Sequence, residues 1–234
     1  MRILGPSIAR AGRSARPRPR GGCPALLVLA LLALPLAPAA AQDRAGAFDH
    51  YVLALSWSPT WCALEGDARG APECAPGAGR GFTLHGLWPQ HEVGWPQHCR
   101  SPHPPATRAQ TAAMTDVMGS AGLAWHQWRK HGTCTGLAAA DYFALSREAL
   151  SRVRIPAPLA DLADAVRLPA ILVEEAFLEA NPSLSAEGVA ITCRAGRVQE
   201  VRICLTRALE PRACGRDARP DCALPDALLS PPRR

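Results

Sequence analysis

Eight cysteines (Cys62, Cys74, Cys99, Cys134, Cys193, Cys204, Cys214 and Cys222) follow residue 41, and no other feature constrains the fold of this chain as tightly. A ninth, Cys23, lies in an N-terminal segment of different character. Residues 1–41 carry six arginines and no acid, then an apolar run from Ala25 to Leu36, then Ala39-Ala40-Ala41. That succession of basic, apolar and small residues predicts a secretory signal over 1–41. It has no Arg-Arg pair, which favours the general secretory route. The apolar run is too short to span a bilayer well, so no membrane association is expected once it is removed. An even number of cysteines in an exported chain predicts four disulfides. Structural zinc is the rival; gaps of seven or more residues between cysteines and the lack of a Cys-x-x-Cys pair speak against it. Spacing alone leaves the connectivity open.

The same segment decides the charge. The chain has 26 Lys+Arg against 20 Asp+Glu, and without the six signal arginines the rest is 20 against 20. A formally neutral mature chain must bind any polyanion through a local site, not a global field. Arg233 and Arg234 read as a solvated basic tail.

Phe48 to Trp57 is dense in β-formers and apolar on both faces, which predicts a buried central strand ended by Ser58-Pro59. Residues 63–81 are rich in Gly, Ala and Pro and read as loop. Phe82 to Leu87 reads as a short strand stopped by Pro89. Residues 89–106 hold His91, His98 and His103 in an irregular, exposed loop. Helices are expected over 107–118, over 138–153 with Tyr142, Leu145 and Leu150 as a core stripe, and over 168–179 with Pro169 in the first turn. Strands 188–193 and 197–205 form a hairpin around Arg194-Ala195-Gly196, the second with Glu200 pointing outward. The tail from Glu210 reads as irregular. The whole is an α+β single domain over 42–234: a central antiparallel β-sheet flanked by helices and stabilised by disulfides.

Two segments carry chemistry. Trp125-His-Gln-Trp-Arg-Lys-His-Gly-Thr-Cys134 reads as a helix stopping at Gly132, with Gln127, His131, His126 and Lys130 along one broad side. Phe82-Thr-Leu-His-Gly-Leu-Trp-Pro-Gln90 supplies a second histidine and tryptophan. Cleaving RNA without a metal needs a base for the 2′-hydroxyl proton, an acid for the leaving 5′-oxygen, and positive charge for the phosphorane. Two histidines can divide the acid and base roles, and aromatic rings can stack unpaired bases. His85, His131, His126, Lys130, Trp88 and Trp128 fill those posts.

These two segments closely resemble the active-site signatures of the ribonuclease T2 family, which are secreted, metal-independent endoribonucleases with little base preference. Tyr51–Pro59, Asp141-Tyr142-Phe143 and Val198–Cys204 are similar to further family elements, so the resemblance covers nearly all of 48–222. It implies His131 as general base, His85 as general acid, and His126 and Lys130 on the phosphate. Gln127 would assist there, and Trp88, Trp128 and Gln90 would contact substrate. The substrate would be single-stranded RNA, cleaved to a 2′,3′-cyclic phosphate and then a 3′-phosphate. No cofactor and no metal are implied, and the protein would be a monomer, secreted or periplasmic. The resemblance pairs Cys99–Cys134, and the remaining pairings proposed with it are Cys62–Cys74, Cys193–Cys222 and Cys204–Cys214. One departure stands out: most members carry glutamate where this chain has Gln127. Glutamine can donate a hydrogen bond to a phosphoryl oxygen but cannot exchange a proton.

The alternative is a catalytically impaired RNA-binding or signalling protein that keeps the fold; intact His85 and His131 argue against it. A disulfide-stapled structural protein is made remote by two whole signatures. A metal hydrolase is disfavoured because His126 and His131 are five residues apart and no acid completes the set.

Overall fold

The computed structural model describes residues 43–218 and 221–234. The signal expected over 1–41 lies outside the described residues. Strand β1 (His50–Trp57) leads into a one-turn helix α1 (Ser58–Trp61) and strand β2 (Phe82–Gln90) follows. Between them, the stretch expected as loop is instead coiled into a π-turn, Cys62–Gly66, and two 3-10 turns, Asp67–Arg69 and Pro72–Cys74. Helices α2 (Arg108–Ala112), α3 (Thr115–Met118), α4 (Ala121–Lys130), α5 (Ala139–Ser151) and α6 (Ala157–Ala160) come next. Strand β3 (Val166–Leu168), helix α7 (Ile171–Ala180), and strands β4 (Val189–Arg194), β5 (Arg197–Leu205) and β6 (Ala227–Leu229) complete the chain. Among the described residues no helix is long and apolar enough to cross a membrane.

The sheet runs β2-β1-β5-β6-β3, with β4 also paired to β5. Every ladder is antiparallel except β5–β6, which is parallel at Arg197↔Leu228. The sheet is therefore mixed, not purely antiparallel. β2 runs on through Pro89 instead of stopping there. It is an edge strand, so the missing proline N–H need not cost a ladder bond. The helix expected over 107–118 is two, broken at Ala113-Met114. The first is closed by a capping box between Thr107 and Gln110.

One face of β2-β1-β5 carries Leu53, Leu55, Leu84, Leu87, Val201 and Ile203, all fully buried. Against it pack Trp128 of α4, Tyr142 and Phe143 of α5, and Phe177 of α7. Leu84 and Leu87 are three apart, an odd spacing that strict alternation would send to opposite faces. A β-bulge resolves this. Gly86 pairs Ala54 and Leu84 pairs Leu55, leaving His85 as the extra residue. Both leucines thus reach the core, and His85 is re-aimed to the other face.

Trp128 is 1% exposed and lies among Tyr142 and Phe143, so its expected contact with substrate is corrected to a core role. Truncating such a side chain typically costs about 3–5 kcal/mol. Cys62–Cys74, Cys99–Cys134, Cys193–Cys222 and Cys204–Cys214 are the disulfides present. Arg233 is not a solvated tail: its guanidinium grips both Asp67 carboxylate oxygens at 2.7 Å and the Cys74 carbonyl at 2.6 Å. Trp57 Nε1 donates to the Ser230 carbonyl at 2.9 Å, and β6 sits within the segment expected to be irregular. The C-terminus is a strap over the coil that follows β1.

Candidate active site

The bulge on β2 delivers His85, and three residues on, Trp88; the C-terminal end of α4 delivers His126, Gln127 and Lys130. α4 ends at Lys130, and His131 caps it with φ −116°. Gly132, expected from sequence to stop the helix, is not a left-handed cap. An added Cβ there would strike the rings of Trp128 and Tyr142, so glycine is needed for close packing beneath His131. The left-handed glycine comes later, at Gly136 with φ 79°. Cys99–Cys134 and the bond from His98 N–H to the Lys130 carbonyl at 2.8 Å tie the loop after β2 to this turn.

Trp88 is the wedge of the site. Its ring stacks on His131 at 5.2 Å between centroids and 25° between planes, and meets His85 edge-on at 5.2 Å. Its Nε1–H donates to Gln127 Oε1 at 2.7 Å. Indole N–H only donates, so the glutamine oxygen must face it and the amide NH₂ is turned elsewhere. Gly86 permits this bond, because a Cβ there would collide with both the Gln127 carbonyl and the indole nitrogen. The Arg202 guanidinium lies 5.4 Å from the Trp88 ring centroid.

The two histidines meet opposite surroundings. His131 is 5% exposed, and its Nδ1 is buried with no hydrogen-bond partner among the described residues. Burial, reinforced by Lys130, His85, His126 and His98, pushes its pKa down to about 3. His126, on the exposed side of α4, is lowered in the same sense by desolvation and then by Lys130. His85 instead meets the carboxylate of Glu200 through its Nδ1.

Sequence reasoning placed Glu200 outward; in the structure it is 2% exposed. Glu200 pairs across the ladder with Ser56, and Arg202 with Ala54, so both side chains share the face to which His85 is re-aimed. Ser56 Oγ donates to Glu200 Oε1 at 3.2 Å, and Arg202 Nη2 and Nε donate to Oε2 at 3.0 and 3.2 Å. Burial pushes the Glu200 carboxyl up, but the bond and charge of His85, with Arg202, override it and hold it at about 2. The available signal was a glutamate on a strand otherwise packed with valine and isoleucine, with arginine two residues on. A charge so placed must be paired.

The predicted set thus divides. His85, Trp88, His126, Gln127, Lys130 and His131 come together at one site. The single broad polar side expected of α4 does not exist, because Gln127 is buried and His126 exposed. Gln90 is 6% exposed with its amide turned back on the Pro89 carbonyl at 2.9 Å, which corrects its expected place on substrate. Beside His85 and His126 opens a cleft of about 750 Å³, lined further by Ser56, Thr83, Trp61, Leu64 and Leu123. Its arginines are engaged: Arg69 and Arg194 on Glu65, and Arg80 on the Thr115 and Asp116 carbonyls. Lys130 has no carboxylate partner among the described residues.

A model of the ribonuclease T2 family matches residues 48–214. A ribonuclease of Aeromonas hydrophila is 39% identical over 127 residues, which are 52% of this chain and 56% of that one. A probable ribonuclease of Haemophilus influenzae is 28% identical over 127 residues, 49% of this chain and 47% of its own. The chain spans about half the length of the curated relatives it matches, and these include an extracellular ribonuclease of Solanum lycopersicum. Among solved structures, RNase NT in complex with 5′-AMP superposes with a TM-score of 0.60 at 20% identity, over 79% of this chain and 98% of that one. An RNase-related protein from Calystegia sepium gives the same score and identity, over 79% and 97%. At that identity the superpositions speak for the fold; the family match over most of the sheet and both histidine segments settles kinship, and the chain belongs to the ribonuclease T2 family.

Proposed function

We propose that this protein is a metal-independent endoribonuclease that cleaves single-stranded RNA by transphosphorylation. The observation that carries the reading is the pair of histidines flanking Trp88, one buried with its Nδ1 unpartnered among the described residues, the other held by a carboxylate. Two histidines in such different surroundings, one kept neutral by burial and one bonded to a carboxylate, divide naturally into base and acid.

His131, kept neutral by burial, accepts the proton of the ribose 2′-hydroxyl as O2′ attacks phosphorus. The bond from phosphorus to O5′ breaks, and O5′ takes the proton carried on His85 Nε2. The products are a 2′,3′-cyclic phosphate and a free 5′-hydroxyl. In the second step water replaces the alcohol, the roles reverse, and a 3′-phosphate results. Lys130 and His126 supply donors and charge for the phosphorane oxygens, and Gln127 adds its amide NH₂. The cleft volume lies inside the roughly 300–1,000 Å³ range of ligand sites and would seat a nucleotide next to the scissile bond. Trp88, standing between the two histidines, is the ring expected to stack a base, and Trp61 is the indole that lines the cleft itself. Little base preference, a monomeric state, and export to the periplasm or beyond complete the reading.

The test is incubation of the disulfide-bonded protein with unstructured RNA and a strong chelator, beside His85→Ala and His131→Ala variants. Cyclic-phosphate ends that disappear in both variants are the expected result. A folded wild type that leaves RNA intact would sink the reading and hand the site to a binding protein.

A further inference from the structure

A carboxylate buried in the middle of a sheet is costly unless every oxygen is engaged. Glu200 meets that condition in a directed way. Oε2 is fixed by the two Arg202 donors, and Arg202 reaches solvent and the Trp88 ring on its other side. Oε1, aimed by that anchor, receives Ser56 Oγ and His85 Nδ1. β2 and β5 are two strand spacings apart, roughly 10 Å. The imidazole and the carboxylate span that gap over β1, where the small side chains of Ala54 and Ser56 leave them room.

We propose that Glu200 is a positioning residue for the acid histidine, its Oε1 holding the Nδ1–H of His85 so that Nε2 points at the leaving oxygen. This rests on the ribonuclease reading above. Its chemistry is simple: with Nδ1–H committed to a carboxylate, the only proton the ring can give to substrate is the one on Nε2. The carboxylate also balances the ring's charge while both nitrogens are protonated, and releases that balance as O5′ takes the proton. The cationic or titratable groups near His85 are Arg202 on β5, which shares Glu200 with it, His126 on α4 and His131 at its cap. Glu65 and Glu73 line the same cleft, with Glu65 taken up by Arg69 and Arg194. Among the described residues, Glu200 is the carboxylate bonded to the His85 ring.

The experiment compares Glu200→Gln with wild type and His85→Ala on two substrates, a ribodinucleotide and a nucleoside 3′-(4-nitrophenyl phosphate). The second has a leaving group that departs without a proton. Glu200→Gln is expected to slow the dinucleotide about tenfold or more, below the 10²–10⁴ ceiling of general acid–base catalysis. KM should move less than about threefold, and the alkaline limb of the rate profile should shift to lower pH. On the nitrophenyl ester its rate should stay near that of wild type. Equal losses on both substrates would make Glu200 merely structural, and no loss on the dinucleotide would remove it from the reaction; either overturns the proposal. If His85→Ala cleaves the dinucleotide as fast as wild type, the paired-histidine reading falls instead. Nitrogen-15 spectra of the wild-type His85 ring give a check independent of turnover and of the variant's folding. The neutral ring should carry its proton on Nδ1, and a proton found on Nε2 would overturn the assignment.

Discussion

His85 and His131 stand on either side of one indole and differ in nearly everything else. His85 rides on a sheet edge, open to the cleft, with a buried carboxylate and an arginine behind it. His131 caps a helix, largely buried, with no partner for its Nδ1 among the described residues and with Lys130, His85, His126 and His98 as its titratable neighbours. The sheet side is built to fix a ring by its Nδ1, the helix side to keep a ring neutral. The lesson is that one residue type can serve two opposite roles when the elements around it differ in charge and in access to water. Each prediction below removes part of that contrast.

The largest effect should come from the histidines themselves. His85→Ala and His131→Ala are each expected to slow RNA cleavage by about 10²–10⁴, but they should part company on the nitrophenyl ester. His85→Ala should recover most of its loss there, because the leaving group needs no acid; His131→Ala should not, because the nucleophile still needs its base. Steady-state rates on both substrates measure this, and identical behaviour of the two variants would erase the contrast.

Stability against pH gives the next largest signal. Unfolded, His131 takes a proton near 6.5; folded, it does so only near 3. Between those values the unfolded chain binds more protons, so stability is full above about 6.5 and is lost as pH falls toward 3. Glu200 acts in the same direction in a lower window, as pH falls from 4.5 toward 2. His50, wholly buried at the start of β1 with neither ring nitrogen bonded among the described residues, is also lowered by that burial and adds to the upper window. Denaturant midpoints from pH 7 to 4 should therefore fall, and His131→Gln should flatten but not abolish the slope. An unchanged slope would show that His131 is not held neutral by the fold.

Both histidine segments were legible because their chemistry sits in contiguous residues, and the family likeness implied roles for them. What lay outside was cooperative. Glu200 looks like an outward residue under strict alternation, since nothing local announces a bulge on another strand that sends a histidine over it. The one local trace was the odd spacing of Leu84 and Leu87. Trp128 sits in the same decapeptide as His126 and His131 and shares their apparent site, yet a turn of helix puts it in the core. β3 and β6 are three residues each, too short for any periodicity to show. Arg233 reads as a solvated tail because its partner Asp67 is distant in sequence.

Gln127→Glu should have a smaller effect, below about tenfold on turnover, because an amide, like a carboxylic acid, can donate to a phosphoryl oxygen. A carboxylate placed against Trp88 and close to His131 would favour the protonated ring of His131, so the acid limb of the rate profile should move to higher pH. A gain of tenfold or more in turnover would mean that glutamine impairs this enzyme and that the lost charge is not offset.

The smallest effect tests how the sheet side is anchored. Ser56 gives Glu200 Oε1 a long bond, 3.2 Å, while Arg202 gives Oε2 two. If Arg202 sets the carboxylate's orientation, Ser56→Ala removes a trimming contact worth about 0.5–1.5 kcal/mol. Turnover of the dinucleotide should then drop only a few-fold, with the nitrophenyl ester unaffected. Water entering from the cleft can replace the hydroxyl, since Ser56 lines it. A loss as large as that of Glu200→Gln would move the anchor from Arg202 to β1. His85 would then depend on its neighbouring strand more than on the arginine beyond it.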